Sequence, residues 1–351
     1  MRSISALQKC IQDQSRREEF SGVVFVTQGD KVLFAESYGQ ANRAESVPNE
    51  INTKFQIASG CKIFTSVAIC QLVEKGLLDF DTPLKNCVDV HFPNYHSDIC
   101  VKHLLTHTSG ITSYFEEDVD DDYEALWKNV PMYRIREPRD FLPLFKDKRM
   151  KFLPGQKFDY NDAGYILLGL IVESLGGMSF SKYVEENVFA PAGMKDSGYF
   201  RTDQLPAGTA FSYINEPKTD SWRTNFFAVP IKGAPDGGAY TTAPDTHSFW
   251  KALFKYGLVN RHLTDSLLQS QVSTGRKSPY TDYGYGLWIN REDNATKKYF
   301  VEGLDPGVAF RSAVYSNKEL MLTMIGNTER PLWPLFARVE KVLQPEVLPP
   351  T

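Results

Sequence analysis

Residues Phe55 to Gly76, FQIASGCKIFTSVAICQLVEKG, set the strongest limit on how this chain folds. Phe55-Gln56-Ile57 reads as a short extended run, Ala58-Ser59-Gly60 as a turn, and the remainder as a helix. Ile63, Val67, Cys70 and either Val73 or Glu74 recur at helical spacing, and Phe64, Ala68 and Leu72 widen the apolar surface beyond one stripe. A helix that is apolar over so much of its circumference belongs inside a domain, with other elements packed around it. Gly76 supplies the left-handed residue at which such a helix stops.

Ser59 and Lys62 stand at the start of this helix, three residues apart and on one face. Free amides and the positive end of the helix dipole gather there. A serine so placed can act as a nucleophile, with a desolvated Lys62 taking its proton. The Ser59 backbone N–H can donate to the oxyanion that forms. The same Ser-x-x-Lys spacing recurs at Ser179/Lys182 and Ser248/Lys251. Ser179 follows Gly176-Gly177 and reads as an N-cap; Ser248 belongs to an amphipathic helix whose lysines face water. Only the first pair opens a long apolar helix directly after an extended run.

Strand-like runs gather at the two ends of the chain. Residues 22–28 and 31–39 form a hairpin through Gly29-Asp30, and residues 285–289, 298–302, 309–315 and 320–325 follow late, the last two joined at Asn317-Lys318. Residues 40–54 read as irregular. From Leu77 to about Pro230 the pattern is helices and long loops, with helices at 101–105, Ala163–Gly176 and Phe180–Phe189. Asp245–Tyr256 is a further helix, the first twenty residues read as an amphipathic one, and Pro331–Leu343 closes the chain. The expected architecture is α/β in the α+β sense, a single domain over 1–351. Residues 1–55 and 232–351 build an antiparallel sheet flanked by helices, and residues 56–231 form an inserted all-helical subdomain. A cleft at the junction would have Ser59 at its floor.

At 351 residues the chain is long enough for one large core. Its net charge of −4 carries no nucleic-acid footprint. No apolar run approaches the roughly 18 residues of a membrane span, and the first twenty residues lack a signal peptide's apolar stretch. Cys10, Cys61, Cys70, Cys87 and Cys100 are odd in number, with neither zinc nor redox spacing. Reduced thiols and a cytoplasmic location follow as the expectation; an exported form whose leader has been removed stays open. Cys61 reads as a small packed helix residue. The acidic run 116–122, EEDVDDD, reads as a solvated loop. His91, His96, His103 and His107 cluster in sequence without an accompanying carboxylate motif, so no metal is expected, and His107 is read as bonding within its own loop.

Longer stretches then carry a resemblance. FQIASGCKIFTSVAICQLVEKGLLDFDTPL, VKHLLTHTSGI, LPGQKFDYNDAGYILLGLIVESLGG, GGAYTTAPD and YGYGLWI resemble, in this order, landmarks of the serine β-lactamase and penicillin-binding protein family, in its class C β-lactamase and D-stereospecific peptidase or esterase branch. The resemblance implies that Ser59 is acylated, that Lys62 is its proton partner, and that Tyr160 relays protons to the leaving group. A tyrosine has a reference pKa near 10, so a neighbouring cation must favour its phenolate. Lys62 would be that cation.

Two positions depart from the family pattern. Asp162 stands where the family's Tyr-x-Asn motif has asparagine; an ionised Asp162 cannot donate a hydrogen bond but can hold Lys62 charged, making it a poorer base. The third motif, Lys-Thr-Gly or His-x-Gly in relatives, falls on Val301-Glu302-Gly303. Val301 supplies no cation for a substrate carboxylate, and Glu302 alternates to the other face of its strand. By the same resemblance the Leu304 backbone N–H completes the oxyanion hole with that of Ser59. The implied function is a serine hydrolase on an ester, a D-amino-acid amide or peptide, or a β-lactam, with a small molecule or short peptide as partner and no cofactor. A true β-lactamase or D-alanyl-D-alanine carboxypeptidase is one alternative, with Arg311 as a substitute cation. A catalytically impaired binding relative is the other.

Overall fold

The computed structural model describes residues 7–8, 11–12, 20–116, 119, 122–216, 219, 221–293, 295–315, 319–328 and 332–347. Most of the expected first helix, Cys10, the Asn317-Lys318 turn and four acidic residues of the 116–122 run lie outside the described residues.

Both ends of the chain meet in one eight-stranded antiparallel sheet. Its strands are β1 (Gly22–Gln28), β2 (Lys31–Tyr38), β3 (Val272–Ser273), β4 (Asp282–Tyr283), β5 (Trp288–Glu292), β6 (Ala295–Asp305), β7 (Val308–Tyr315) and β8 (Leu320–Gly326). The order across the sheet is β2-β1-β8-β7-β6-β5-β4-β3. N-terminal β1 therefore sits beside C-terminal β8, in a register that pairs Val24 with Met324. The alternation along β1 sorts its side chains between two cores, Val23 and Phe25 on one face, Val24 and Val26 on the other.

The helix α5 (Trp333–Val347) covers the second face through Leu335, Phe336, Val339 and Leu343. A buried contact between Lys298 and Glu340, at 2.5 Å, ties it to β6. The opposite face carries α1 (Lys62–Glu74), α2 (Val101–Leu105), α3 (Asp162–Gly176) and α4 (Ala243–Phe254). Every residue of α1 from Lys62 to Leu72 is buried, as a helix apolar on all sides requires. The helix α3 begins where the Asn161 side chain accepts the Gly164 N–H at 2.9 Å. The helix α4 docks on the sheet by polar contacts in a buried interface: the Trp250 indole donates to Ser312 Oγ at 2.9 Å, and His247 bridges Thr27 and Thr323.

Local departures from the sequence reading have identifiable causes. The strand expected at 285–289 begins three residues later, because Gly286 takes φ +81° and the Gly284 N–H bonds back to Leu287 O. The stretch 40–54 holds a small ladder between Gln40–Asn42 and Val47–Pro48. The helix expected over Phe180–Phe189 changes to a π turn at Glu185. A hairpin, Tyr213–Glu216 with Ser221–Thr224, stands within the region read as helical. Among the described residues no single helix is long and apolar enough to cross a membrane.

Candidate active site

The approach to Ser59 is fixed before the helix begins. Phe55-Gln56 pairs with Tyr240-Thr241, and the Ile57 N–H donates to Ala239 O at 3.0 Å. Ala58 then turns at φ +45°, a left-handed conformation that costs a non-glycine residue about 1–3 kcal/mol. The Gly238 N–H, donating to Ala58 O at 3.2 Å, helps hold it there. A 3₁₀ turn over Ala58–Cys61 leads straight into α1.

This turn seats against the sheet. Strand β5 pairs with β6 only as far as Phe300, so the following residues of β6 present an open edge. The fit is close: a Cβ on Gly303 would lie 2.2 Å from Ile57 O and 2.7 Å from Ser59 N, and one on Gly60 would lie 2.3 Å from the Phe310 ring. Glycine at both positions lets strand and turn touch.

Lys62 Nζ donates to Ser59 Oγ at 2.8 Å and to Asp236 O at 2.7 Å. It also lies 2.7 Å from Asp162 Oδ1, in an ion pair rather than a well-aligned hydrogen bond. Lys62 is 1 % exposed. Burial on its own favours the neutral amine, but the negative charges of Asp162 first, then of Tyr160 and Asp236, outweigh it and hold the lysine well above its ordinary pKa. Lys62 is thus an ammonium at neutral pH, and the other two expected Ser-x-x-Lys pairs make no comparable contact. Ser248 Oγ donates to Pro244 O inside α4 while Lys251 reaches Asp30. Ser179 stands at a helix start, though without the side-chain capping bond that its position suggested, and Lys182 faces Glu186.

Tyr160 lines the same cleft as Ser59. Its ring centre lies 5.0 Å from Lys62 Nζ, and it is gripped between Trp288, stacked at 5.8 Å, and His107 at 4.3 Å. His107 is itself buried at φ +56° and accepts the Asn161 N–H on Nδ1 at 3.0 Å. Burial, then the Lys62 charge, drive its pKa well below the usual value, so it packs as a neutral ring.

At the third motif, Val301 points into the core beneath the helices. Glu302 points away and accepts from Arg311 Nε at 2.7 Å. That pairing corrects the expectation for Arg311: its guanidinium is neutralised by Glu302, bonds to the Tyr280 hydroxyl and lies 4.0 Å over the Trp333 ring. Gly303 and Leu304 line the cleft, and Leu304 is exposed at its edge. Cys61 is fully buried against Ala234 O; burial pushes its thiol up to about 12. Among the described residues no group of three or more His, Cys, Asp or Glu side chains is arranged to hold a metal ion.

The cleft has a volume of ≈ 590 Å³. Two of its residues escaped the sequence reading. Asp236, 4 % exposed, accepts a hydrogen bond from the Tyr114 hydroxyl. Burial, then the like charge of Asp162, raise its carboxyl to about 7; Lys62 and Tyr114 pull it back only in part. The only sequence signal was its place before Gly237-Gly238, which reads as an ordinary turn.

The turn that carries Ser59 and Lys62 is thus seated between a sheet edge and a layer of helices. The chain belongs to the beta-lactamase family, whose model matches residues 7–342. It is 24 % identical over 337 residues to penicillin-binding protein 4* of Bacillus subtilis, covering 92 % of this chain and 71 % of the relative. The crystal structure of a penicillin binding protein from Bacillus halodurans superposes with a TM-score of 0.90 at 47 % identity, covering 96 % of this chain and 99 % of that one. A D-stereospecific amidohydrolase from Streptomyces shares the fold, with a TM-score of 0.77 at 18 % identity and 99 % of both chains covered.

Proposed function

We propose that this protein is a serine hydrolase that works through an acyl-enzyme on Ser59, with esters and amides lacking a free carboxylate as substrates. The observation that carries the reading is the 2.8 Å bond between Lys62 Nζ and Ser59 Oγ at the floor of a substrate-sized cleft. An ammonium at that position cannot itself accept a proton. It favours a phenolate on Tyr160, which takes the Ser59 proton as Oγ attacks the carbonyl carbon. The Ser59 and Leu304 amides receive the oxyanion, and one such donor is worth roughly 3–4 kcal/mol of barrier. Tyr160 then hands the proton to the departing oxygen or nitrogen. Water enters, loses a proton to Tyr160 and releases the acid, restoring the Ser59 hydroxyl. The substrate restriction is supported by the third motif, where Val301 is hydrocarbon and Arg311 is already paired, and is set against Arg276 and Lys232, which line the same cleft.

The test is intact-mass analysis after treatment with a fluorophosphonate, a labelled penicillin and a chromogenic short-chain ester. A phosphonate adduct and ester turnover, both lost in Ser59→Ala, support the reading. Rapid penicillin turnover would move the substrate class to β-lactams. A folded protein inert to all three reagents contradicts the hydrolase reading.

A further inference from the structure

Where β6 ends, two side-chain amides meet beside the cleft, and their partners fix which way each one turns. The Asn225 side-chain NH2 donates to Pro306 O at 2.9 Å and to Gln56 Oε1 at 3.0 Å. Chemistry permits no other orientation. A carbonyl oxygen can only accept, so Asn225 must present its NH2 to Pro306. The same nitrogen faces Gln56, which must therefore present its oxygen and turn its own NH2 elsewhere. Gln56 is 4 % exposed and lines the cleft, and among the described residues its Nε2 has no hydrogen-bond partner. A nearly buried donor without an acceptor is costly. The open side of this one is the cleft, where a substrate atom can meet it.

We infer that Gln56 is the donor of an acyl-side subsite, so that the preferred substrates carry an uncharged oxygen acceptor, such as a ketone, about four bonds past the scissile carbonyl. The position fits. The turn that holds Ser59 touches β6 at Gly303, and the Leu304 amide is the next along the strand. A strand advances about 3.3 Å per residue, so Pro306 and the amide pair lie about 7 Å beyond Leu304. An oxygen four bonds along an extended chain stands about 5 Å from the attacked carbon, and a hydrogen bond of about 2.9 Å spans the remainder. Ile214, Val229 and Phe115 line the same cleft and suit the hydrocarbon between. Asp305, the neighbour of Pro306, also lines it and disfavours a carboxylate at the end of the chain. The substrate class rests on Ser59 being the acylated residue; the binding of the acceptor by Gln56 does not.

The test measures binding without turnover. In Ser59→Ala protein, the anilides of 4-oxopentanoic and 4-methylpentanoic acid, which match in shape, are titrated by NMR at neutral pH. One hydrogen bond to an otherwise unpaired donor predicts that the ketone binds roughly 3- to 10-fold more tightly than the hydrocarbon. Gln56→Met in the same background keeps the side-chain length, removes the donor and should erase the preference. A second readout needs no variant at Gln56: its side-chain amide proton signals should move downfield with the ketone and stay in place with the hydrocarbon. Equal binding of the two anilides overturns the inference, as does a preference that survives Gln56→Met, a Gln56 signal indifferent to the ketone, or an absence of binding at millimolar anilide. Phosphonate labelling of Ser59 in the wild type is read separately. A labelled protein with no ketone preference therefore loses this inference and keeps the hydrolase reading, and an unlabelled protein with the preference does the reverse.

Discussion

Replacing Asp162 with asparagine removes the counter-ion of a fully buried lysine and should push stability and reactivity in opposite directions. Lys62 Nζ lies 5.0 Å from the centre of the Tyr160 ring. At an effective dielectric of about 20, a unit charge at that range favours a phenolate by about 3 kcal/mol. The Asp162 carboxylate, 2.7 Å from the same ammonium, cancels a large share of that attraction. Recovering even half of it is worth about 1.5 kcal/mol, or roughly tenfold in the rate of a step that needs the phenolate. The structural cost has the other sign. A buried ion pair that loses one partner is destabilised by about 3–5 kcal/mol, and the asparagine oxygen, still able to accept, sets the expectation at the low end. The assay pairs the pseudo-first-order rate of fluorophosphonate labelling at neutral pH with urea unfolding of the same variant. Faster labelling of a less stable protein is expected. Slower labelling together with unchanged stability would refute the assignment of Asp162 as the charge that restrains Lys62.

Further outcomes follow from the same geometry. Gly303→Ala places a methyl 2.2 Å from Ile57 O and 2.7 Å from Ser59 N; ester kcat/KM should fall about 100-fold as the oxyanion donors move apart, and a variant of full activity would contradict the close seating of β6 on the turn. The Asp236 carboxyl, raised to about 7 in the folded protein, keeps a proton that the unfolded chain sheds near its reference value of about 3.9. Stability should therefore fall as pH rises between these two values and level off above the higher one. Asp236→Asn should lack that slope and exceed the wild type in urea midpoint at mildly alkaline pH, with the two nearly equal in mild acid. Cys61, Cys70, Cys87 and Cys100 are all buried, and burial raises each thiol; peptide mapping after brief iodoacetamide treatment of native protein at neutral pH should find them unmodified.

The parts of this molecule legible in its sequence are those governed by local pattern. The runs at 22–28, 309–315 and 320–325 announced strands, and an apolar circumference announced the buried helix behind Ser59. The ladder that joins β1 to β8 needed only the inference that strands at both ends share a sheet. What stayed hidden depends on which distant segments touch. Pro235-Asp236-Gly237-Gly238 has the composition of a solvent-facing turn, and nothing local reveals that it folds against Ala58, gives a backbone carbonyl to Lys62 and buries a carboxyl against Tyr114. Arg311 read as a spare cation because its cross-strand partner, Glu302, is fixed only by the register of β6 on β7. His107 read as a loop histidine, whereas its ring supports Tyr160 from one side and Trp288 supports it from the other. In each case the missing quantity was a long-range contact.

The most direct measurement is a crystal structure of the protein after reaction with a fluorophosphonate. The account predicts phosphorus bonded to Ser59 Oγ and the phosphoryl oxygen within hydrogen-bonding distance of both the Ser59 and Leu304 amides, with the Tyr160 hydroxyl beside the serine oxygen. Phosphorus on another residue, or an oxygen turned out toward solvent away from those two amides, would contradict it.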